Sequence, residues 1–267
     1  MQLSASTPTI LTLLAATLAL GTASTASQAA MLAGLQDGKS IVLIDTDQKK
    51  VTGSVKLDGG ASLIGIDVRP ADGKLYGVTA DGAIGTVDVK TGKWEKKSQL
   101  SEKLPDGATF SVDFNPAADR LRVLSSTGMS LRINVDDGKA TVDGQLKYAD
   151  ADANKGKQPK VTAAAYTNSY AGTKETALYD MDMAAGVMVK QAPPNDGTLN
   201  TVGKVGIDAS GPVAFDIWSD GKGANVGWLL SGGKLHTVDL ATGATKSIGD
   251  IAGMKGSISD IAILPAM

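Results

Sequence analysis

The chain has 267 residues, of which 42% are hydrophobic and only 4% aromatic, and its formal net charge at pH 7 is −2. This charge balance and the scarcity of aromatic side chains exclude the broad basic surface and base-stacking platform of a nucleic-acid-binding protein. The chain has no cysteine and a single histidine, His236, which excludes cysteine nucleophiles, disulfides and multi-histidine metal centres.

The first predicted element is an uninterrupted run of apolar and small residues over 9–23, followed by small residues at Ser27 and Ala29. The run is too short for a comfortable membrane span and resembles a secretory signal peptide, although no Lys or Arg precedes it. We therefore predict a signal peptide over residues 1–29 and a single soluble domain over 30–267. The expected location is the bacterial periplasm or the extracellular space, without stable membrane insertion.

One hairpin signature then recurs five times along the chain. It consists of an apolar residue, Asp or Asn, three further residues, and Gly or a substitute for it. The copies lie at 44–49, 87–92, 133–138, 181–186 and 238–243. Asp and Gly suit tight turns, because Asp accepts local hydrogen bonds and Gly adopts positive φ. A unit that recurs every 43 (88 − 45) to 57 (239 − 182) residues predicts a repeat architecture.

An apolar strand precedes the hairpin in each repeat, and in most repeats it carries an aspartate. Asp67, Asp113 and Asp216 occupy this place in three repeats, whereas the third repeat has Ala165. Short strands separated by turns rich in Gly and Asp, with no helical period, indicate an all-β fold. Four strands in each repeat of roughly 45 residues match the dimensions of a β-propeller blade.

The two ends of the chain complete each other. Residues 258–263 read as a first strand with nothing after it, and residues 32–56 read as second to fourth strands with nothing before them. Pairing the two removes an exposed sheet edge. We therefore predict a five-bladed β-propeller closed by pairing of the N- and C-terminal strands. The predicted blades are 63–98, 110–147, 161–202, 213–248, and a composite of 258–265 with 31–57.

The aspartates of the first strands are the leading candidate site. First strands line the central channel of a propeller, so Asp67, Asp113, Asp216 and Asp260 are expected to converge there. Such carboxylates could bind Ca²⁺ or serve as the acid and nucleophile of glycoside hydrolysis. Each also directly precedes a turn, where Asp commonly accepts backbone N–H bonds. Recurrence in almost every blade favours this structural role, and we predict no resident metal or cofactor.

Three arginines and one loop are further candidates for binding. Arg120 and Arg122 lie two residues apart in a strand and share a face, and with Arg69 they could recognise a carboxylate or phosphate. Ion pairs with Asp113 or Asp119 are the alternative. The loop over 191–203 is rich in Pro and Asn, and either binds a ligand or covers the neighbouring blade.

Three phrases carry a resemblance to a known family. They are 113–123 (DFNPAADRLRV), 163–168 (AAAYTN) and 193–203 (PPNDGTLNTVG). Together they resemble the bacterial family DUF4394, a domain of unknown function related to propellers. The resemblance covers essentially the whole chain after residue 29, implies a secreted or periplasmic setting, and adds Asn168 to the candidate ligand-binding residues.

No convergent catalytic set is evident in the sequence, and it lacks phosphate-binding loops and zinc spacings. A ligand- or protein-binding module without catalysis is therefore the first hypothesis, with an unidentified small molecule or protein as its partner and a monomer as its expected state. A saccharide hydrolase that uses the channel aspartates is the second hypothesis. A structural component of an envelope or matrix is the third.

Overall fold

The structure is a computed structural model that describes residues 1–2, 30–207 and 211–265. The predicted signal peptide lies outside the described residues except at its first two positions. Twenty-one strands form five separate sheets, and the described residues add only one turn of 3₁₀ helix, Pro194–Asp196. Within these ranges, no helix is long and apolar enough to cross a membrane.

The strands follow one another with short turns between them. The first seven are β1 (Met31–Gln36), β2 (Ser40–Asp45), β3 (Lys50–Lys56), β4 (Leu63–Val68), β5 (Leu75–Thr79), β6 (Ala83–Val87) and β7 (Trp94–Gln99). The next seven are β8 (Phe110–Asn115), β9 (Arg120–Ser125), β10 (Ser130–Ile133), β11 (Ala140–Val142), β12 (Lys147–Tyr148), β13 (Val161–Tyr166) and β14 (Leu178–Asp182). The last seven are β15 (Val187–Gln191), β16 (Thr198–Lys204), β17 (Val213–Ser219), β18 (Asn225–Ser231), β19 (Lys234–Val238), β20 (Thr245–Asp250) and β21 (Ile258–Leu264).

The five sheets are the blades of the predicted five-bladed propeller, which is confirmed. Blade 1 consists of β4–β7, blade 2 of β8–β11, blade 3 of β13–β16, and blade 4 of β17–β20. The boundary of blade 2 differs from the prediction of 110–147. Lys147 and Tyr148 form β12, which pairs in parallel with β16 and adds a fifth strand to blade 3. The chain crosses between the two blades at Gly144, whose amide donates to the carbonyl of Asn195.

The closing blade joins the two ends of the described chain. Its strand order is β21-β1-β2-β3, and β21 runs antiparallel to β1 with Leu32 opposite Ile263 and Gly34 opposite Ile261. The innermost strand of this blade is therefore the last strand in sequence. This arrangement confirms the predicted closure, because β21 pairs with the edge of β1 that would otherwise be exposed.

The hydrophobic core is divided among the interfaces between blades. Five clusters of buried apolar side chains fill the five interfaces, one cluster to each. Tyr76 of blade 1, for example, meets the ring of Phe114 of blade 2 edge-to-face at 5.4 Å. Because each core needs two blades to bury it, the blades stabilise one another in a ring.

The recurrent hairpins have the structural role that their Asp and Gly residues indicate. Asp88 accepts the amides of Lys90 and Thr91 at 2.8 and 2.9 Å, and Gly92 has a φ of 75°. A Cβ atom at Gly92 would overlap the carbonyl oxygen of Lys56 in the neighbouring blade. Glycine is therefore required here both by the turn and by the close contact between outer strands.

Candidate ligand site at the channel mouth

The channel aspartates bridge neighbouring inner strands. Asp67 accepts the amide of its own successor, Val68, at 2.6 Å and that of Phe114 in the next inner strand at 2.7 Å. Asp113 in turn accepts the amide of Tyr166 in β13 at 3.0 Å. The inner strands have no neighbour on their channel side, so these amides have no partner from the sheets themselves.

Asp216 completes the pattern on the other side of the channel. It accepts the amide of Ile217 at 2.6 Å and that of Ile263 in β21 at 2.7 Å. Three carboxylates thus satisfy five amides, one from each inner strand: two by Asp67, one by Asp113 and two by Asp216. Since a buried amide without an acceptor is costly, this explains physically why the aspartates recur.

Asp260 is one layer removed from the other three aspartates, which differs from the expectation of four equivalent positions. Ala262 occupies the equivalent place in β21, since its successor, Ile263, donates its amide to Asp216. Asp260 accepts the amide of Ile66 in β4 at 2.9 Å and that of Ile261 at 3.1 Å. Gly65 makes room for it, since a Cβ atom there would lie 2.9 Å from Asp260 Oδ2 and overlap Val112.

All four channel aspartates are buried, with 3–5% of their surface exposed, and their acidity changes accordingly. Burial, reinforced by the charge of Asp216, raises the pKa of Asp67 well above its usual range. Burial and the charge of Asp67 raise the pKa of Asp113 in the same way. Burial raises the pKa of Asp216 to about 6 and that of Asp260 well above its usual range.

One oxygen from each of Asp67, Asp113 and Asp216 lies within 4.8 Å of the other two. This spacing is within the reach of a single cation with oxygen ligands. Five of the six oxygens already accept a backbone amide, two on Asp67, two on Asp216 and one on Asp113. The geometry is therefore accounted for by strand bridging.

A pocket of about 510 Å³ lies at one mouth of the channel, where the inner strands end. Asp67 and Asp216 line its inner end, and Asp220 lies exposed at its rim. Trp218 and Tyr170, both half-buried, contribute the aromatic surface. None of the described residues that line this pocket is basic. We call this pocket the acidic mouth.

Arg69 lies between blades 1 and 2. Its guanidinium donates to both carboxylate oxygens of Asp119, at 2.8 and 2.6 Å, and to Asp136 at 3.1 Å. It also lies 5.9 Å from the centre of the Tyr76 ring. The predicted alternative of an ion pair with Asp119 accounts for Arg69, and hydrogen bonding to Arg69 lowers the pKa of Asp119.

Arg120 and Arg122 have separate environments. Arg120 is exposed and donates to the carbonyl of Asp119 at 2.8 Å. Arg122 is 1% exposed and forms its ion pair with Asp143 at 2.5 Å, in place of the predicted Asp113 or Asp119. The sequence could not indicate Asp143, because it lies beyond the end of β11 at the crossing to blade 3.

Asn168 connects blade 3 to blade 4. Its amide donates to Oδ1 of Asn225 at 2.8 Å, and the side-chain nitrogen of Asn225 donates back to Asn168 Oδ1 at 2.9 Å. This reciprocal pair lies just beyond the end of β13, whose Ala165 provides no carboxylate. Asn168 thus has a structural contact at the position where the aspartate bridge is missing.

The loop after β15 covers blade 2, one of the two alternatives that the sequence left open. The side chain of Asn195 accepts from Arg122 at 3.0 Å.

Asp180 on β14 is fully buried, and neither carboxylate oxygen has a hydrogen-bond partner within the described structure. Burial raises the pKa of Asp180, and Arg122 opposes the shift. Asp180 is not among the candidates predicted from the sequence, although a charged residue inside the strand LYDMD is a signal of a buried polar site.

Comparisons with solved structures found matches at 12–15% sequence identity. A structural genomics protein of unknown function from Bacteroides thetaiotaomicron VPI-5482 matches with a TM-score of 0.54 and 15% identity, over 91% of this chain and 66% of that one. A protein of unknown function from Bacteroides caccae matches over 90% of this chain and 100% of that one, with a TM-score of 0.47 and 12% identity. An auxiliary nutrient binding protein from Bacteroides thetaiotaomicron VPI-5482 matches over 75% of this chain and 56% of that one, with a TM-score of 0.44 and 14% identity.

The comparison with protein families gives a more specific result than the comparison with solved structures. No curated protein matches the chain. Residues 40–262 match the family described as Domain of unknown function (DUF4394), a range that runs from β2 into β21, contains strands of all five blades and includes all four channel aspartates. The chain therefore belongs to the DUF4394 family, as its three sequence phrases indicated.

Proposed function

We propose that this protein is a non-catalytic binding module that takes a small, positively charged organic ligand, such as an amine, at the acidic mouth. The observation that carries the proposal is the composition of the pocket: carboxylates at the inner end and rim, two aromatic side chains, and no basic residue among the described lining. A pocket of about 510 Å³ is within the size range of small-molecule sites.

The charge of the pocket favours a positively charged ligand. Burial raises the pKa of both Asp67 and Asp216, and the charge of Asp216 raises that of Asp67 further. A cation beside them relieves that repulsion and stabilises the ionised carboxylates. An anion gains nothing comparable, since the described lining offers it no positive side chain.

The aromatic side chains select the kind of cation. Trp218 follows Asp216 by two residues on β17, so that both side chains point to the same face of the strand. Tyr170 approaches from the turn after β13. Aromatic faces attract desolvated ammonium groups, which favours an organic amine over a strongly hydrated metal ion.

Hydrolysis of a saccharide is the competing function, and the carboxylates argue against it. An acid and nucleophile pair requires two carboxylates in different environments. In both Asp67 and Asp216, each carboxylate oxygen already accepts a backbone amide, so that the hydrogen bonding sets neither apart as the acid or the nucleophile. The matched structure with a TM-score of 0.54 shares 15% identity with this chain and supports the fold alone.

Titration calorimetry with choline as the probe tests the proposal. We expect saturable binding that weakens about fivefold to tenfold in Trp218→Leu, because a cation–aromatic contact contributes on the order of 1 kcal/mol. Asp220→Asn is expected to weaken binding less, since its charge is exposed at the rim.

Trp94→Leu is the matched control, since Trp94 is also half-buried but lies in the outer strand β7. Unchanged choline binding in Trp218→Leu contradicts the proposed site. Binding of glucose or of Ca²⁺ but not of choline contradicts the ligand class, and turnover of an aryl glycoside that is lost in Asp216→Asn favours the hydrolase.

Residues 9–23 support the further proposal that the protein is secreted. Detection of the mature N-terminus in culture fractions tests this proposal.

A further inference from the structure

Strand bridging leaves one carboxylate oxygen of the channel without a partner. Asp67 and Asp216 each accept a backbone amide on both of their oxygens. Asp113 accepts only the amide of Tyr166, on Oδ1, and its Oδ2 has no hydrogen-bond partner within the described structure. Asp113 is 5% exposed, and a buried acceptor without a donor is costly. The channel therefore holds one acceptor that the fold itself does not use.

The position of Asp113 relates this acceptor to the acidic mouth. Asp67 and Asp216 line the inner end of the pocket, whereas Asp113 is not among the described lining residues. One oxygen from each of the three carboxylates nevertheless lies within 4.8 Å of the other two. We call the space between these oxygens the carboxylate gap. A group that contacts all three carboxylates must pass beyond the end of the pocket and enter this gap.

The size of the carboxylate gap fits a primary ammonium group. A nitrogen that donates three tetrahedral N–H bonds of about 2.8 Å holds its acceptors roughly 4.6 Å apart. A trimethylated nitrogen has no N–H to donate, and its methyl carbons approach an oxygen only to about 3.5 Å, which keeps the nitrogen farther away. The spacing therefore admits a primary ammonium and excludes a quaternary one.

The charges around the gap favour a cation there. The acidic side chains that face it from the inner strands are Asp67 of β4, Asp113 of β8, Asp216 of β17 and, one layer away, Asp260 of β21. Behind Asp113, Arg122 of β9 donates to the Tyr166 hydroxyl and pairs with Asp143. No described cation thus neutralises the gap, and buried carboxylates this close share a proton when no cation is present.

We propose that the ligand of the acidic mouth is a primary amine, whose ammonium enters the carboxylate gap and donates to Oδ2 of Asp113 and to Asp67 and Asp216. The ammonium replaces the shared proton, which leaves to solvent, so that the charge of the buried cluster stays the same. Asp113 is then the residue that determines specificity. This assignment rests on the proposed function, because the ligand enters through the same pocket.

Ethanolamine and choline are the matched probes, because they differ only in the three methyl groups on the nitrogen. We expect ethanolamine to bind the wild type about tenfold or more tightly than choline, in line with the gain of charge-assisted hydrogen bonds. Titration calorimetry measures both affinities.

Asp113→Asn tests the free oxygen directly. The variant keeps Oδ1 for the amide of Tyr166 and replaces Oδ2 with an NH₂ group, which cannot accept. We expect ethanolamine binding to weaken about tenfold or more, whereas choline binding stays as in the wild type. Asp88→Asn removes one negative charge at an exposed turn outside the pocket, and it should leave the binding of both probes unchanged.

A second measurement needs no variant. Calorimetry of the wild type in phosphate and in Tris, at one pH, counts the protons released on binding, because the two buffers differ in ionisation enthalpy. We expect ethanolamine to release on the order of one proton and choline none, since only ethanolamine enters the gap. This readout holds even if Asp113→Asn does not fold.

The outcomes separate this assignment from the proposed function. The assignment is overturned, and the proposed function stands, if choline binds as tightly as ethanolamine, if a folded Asp113→Asn binds ethanolamine as the wild type does, or if ethanolamine releases no proton. If neither probe binds, the proposed function fails and the assignment fails with it.

Discussion

Two kinds of junction between inner strands coexist in this propeller. Among the described residues, a side-chain hydrogen bond joins β4 to β8, β8 to β13, β17 to β21 and β21 to β4, whereas none joins β13 to β17. The unbridged junction has Ala165 where β4, β8 and β17 have a carboxylate, and it relies on apolar packing and on the Asn168–Asn225 pair. The difference shows that the aspartates are parts of the junctions and that one junction of the ring holds without them.

The largest expected effect is the loss of two bridged junctions at once. Deletion of residues 257–267 removes β21, and with it the bonds of Asp216 to Ile263 and of Asp260 to Ile66. It also exposes the core between blade 4 and the closing blade. We expect no soluble folded protein, as measured by circular dichroism and gel filtration. A truncated protein with the wild-type melting temperature contradicts the closure.

The loss of stability when a single carboxylate is removed should scale with the number of backbone amides that it accepts. Asp67→Ala leaves two buried amides without an acceptor, and we expect a loss of about 2–5 kcal/mol in the free energy of unfolding. Asp113→Ala frees only the amide of Tyr166 and should lose about half as much. Urea denaturation compares the two variants, and equal losses would argue against amide satisfaction as the role of the carboxylates.

The carboxylates should also make stability depend on pH in a definite direction. Because the pKa of Asp216 is raised to about 6 in the folded state, protonation favours folding. Its contribution is fully present below about pH 4 and is lost as the pH rises through about 6. The loss is on the order of 3 kcal/mol.

This pH dependence is tested by measuring the free energy of unfolding at several pH values between 4 and 7. Asp216→Asn should flatten this profile, whereas Asp88→Asn, which changes an exposed hairpin aspartate, should leave it as in the wild type. An equally steep profile in Asp216→Asn means that other groups determine the pH dependence.

The next prediction concerns Gly65, which lies beside the carboxylate of Asp260. A Cβ atom at Gly65 would overlap Val112 and crowd Asp260, so that Gly65→Ala should cost about 1–3 kcal/mol by overpacking. Gly211→Ala is the control, since nothing lies within 4 Å of a Cβ atom there. Thermal melts compare the two, and similar melting temperatures contradict the tight fit of β4 against β8 and β21.

The smallest effect is expected at the junction without a bridge. Asn225→Ala removes the two hydrogen bonds with Asn168, which are only partly buried, and should cost about 1 kcal/mol. A loss as large as that of Asp67→Ala, measured under the same denaturant conditions, would show that this pair carries the junction as fully as the aspartates carry theirs.

The repeat pattern predicted a large part of this fold because each blade repeats one local rule. Asp88 and Gly92 determine a tight turn by local hydrogen bonds and by positive φ, and such turns are visible in sequence. The orphan strand around Asp260 likewise predicted the closure. The boundary between blades 2 and 3 was missed, because β12 is short and pairs with a strand some fifty residues later.

The candidate sites were predictable only in part. The sequence identified Asp67, Asp113 and Asp216 as residues that converge, because their spacing repeats. It placed Asp260 in the same layer, and only the register between β21 and β1 revealed the difference. It did not indicate Trp218 and Tyr170 as lining residues, because Trp218 lies in β17 and Tyr170 in the turn after β13, and the pocket that both line forms only at the mouth of the channel.

By itself, the sequence determined the strands, the turns, the number of blades and the closure, since all of these depend on local turn chemistry and on a repeat that can be counted. The tertiary structure alone decided which amide each aspartate satisfies, which carboxylates Arg69 and Arg122 pair with, and how carboxylates and aromatic side chains come together at the acidic mouth. Those properties depend on distances between blades, which arise when the ring closes and which no single repeat encodes.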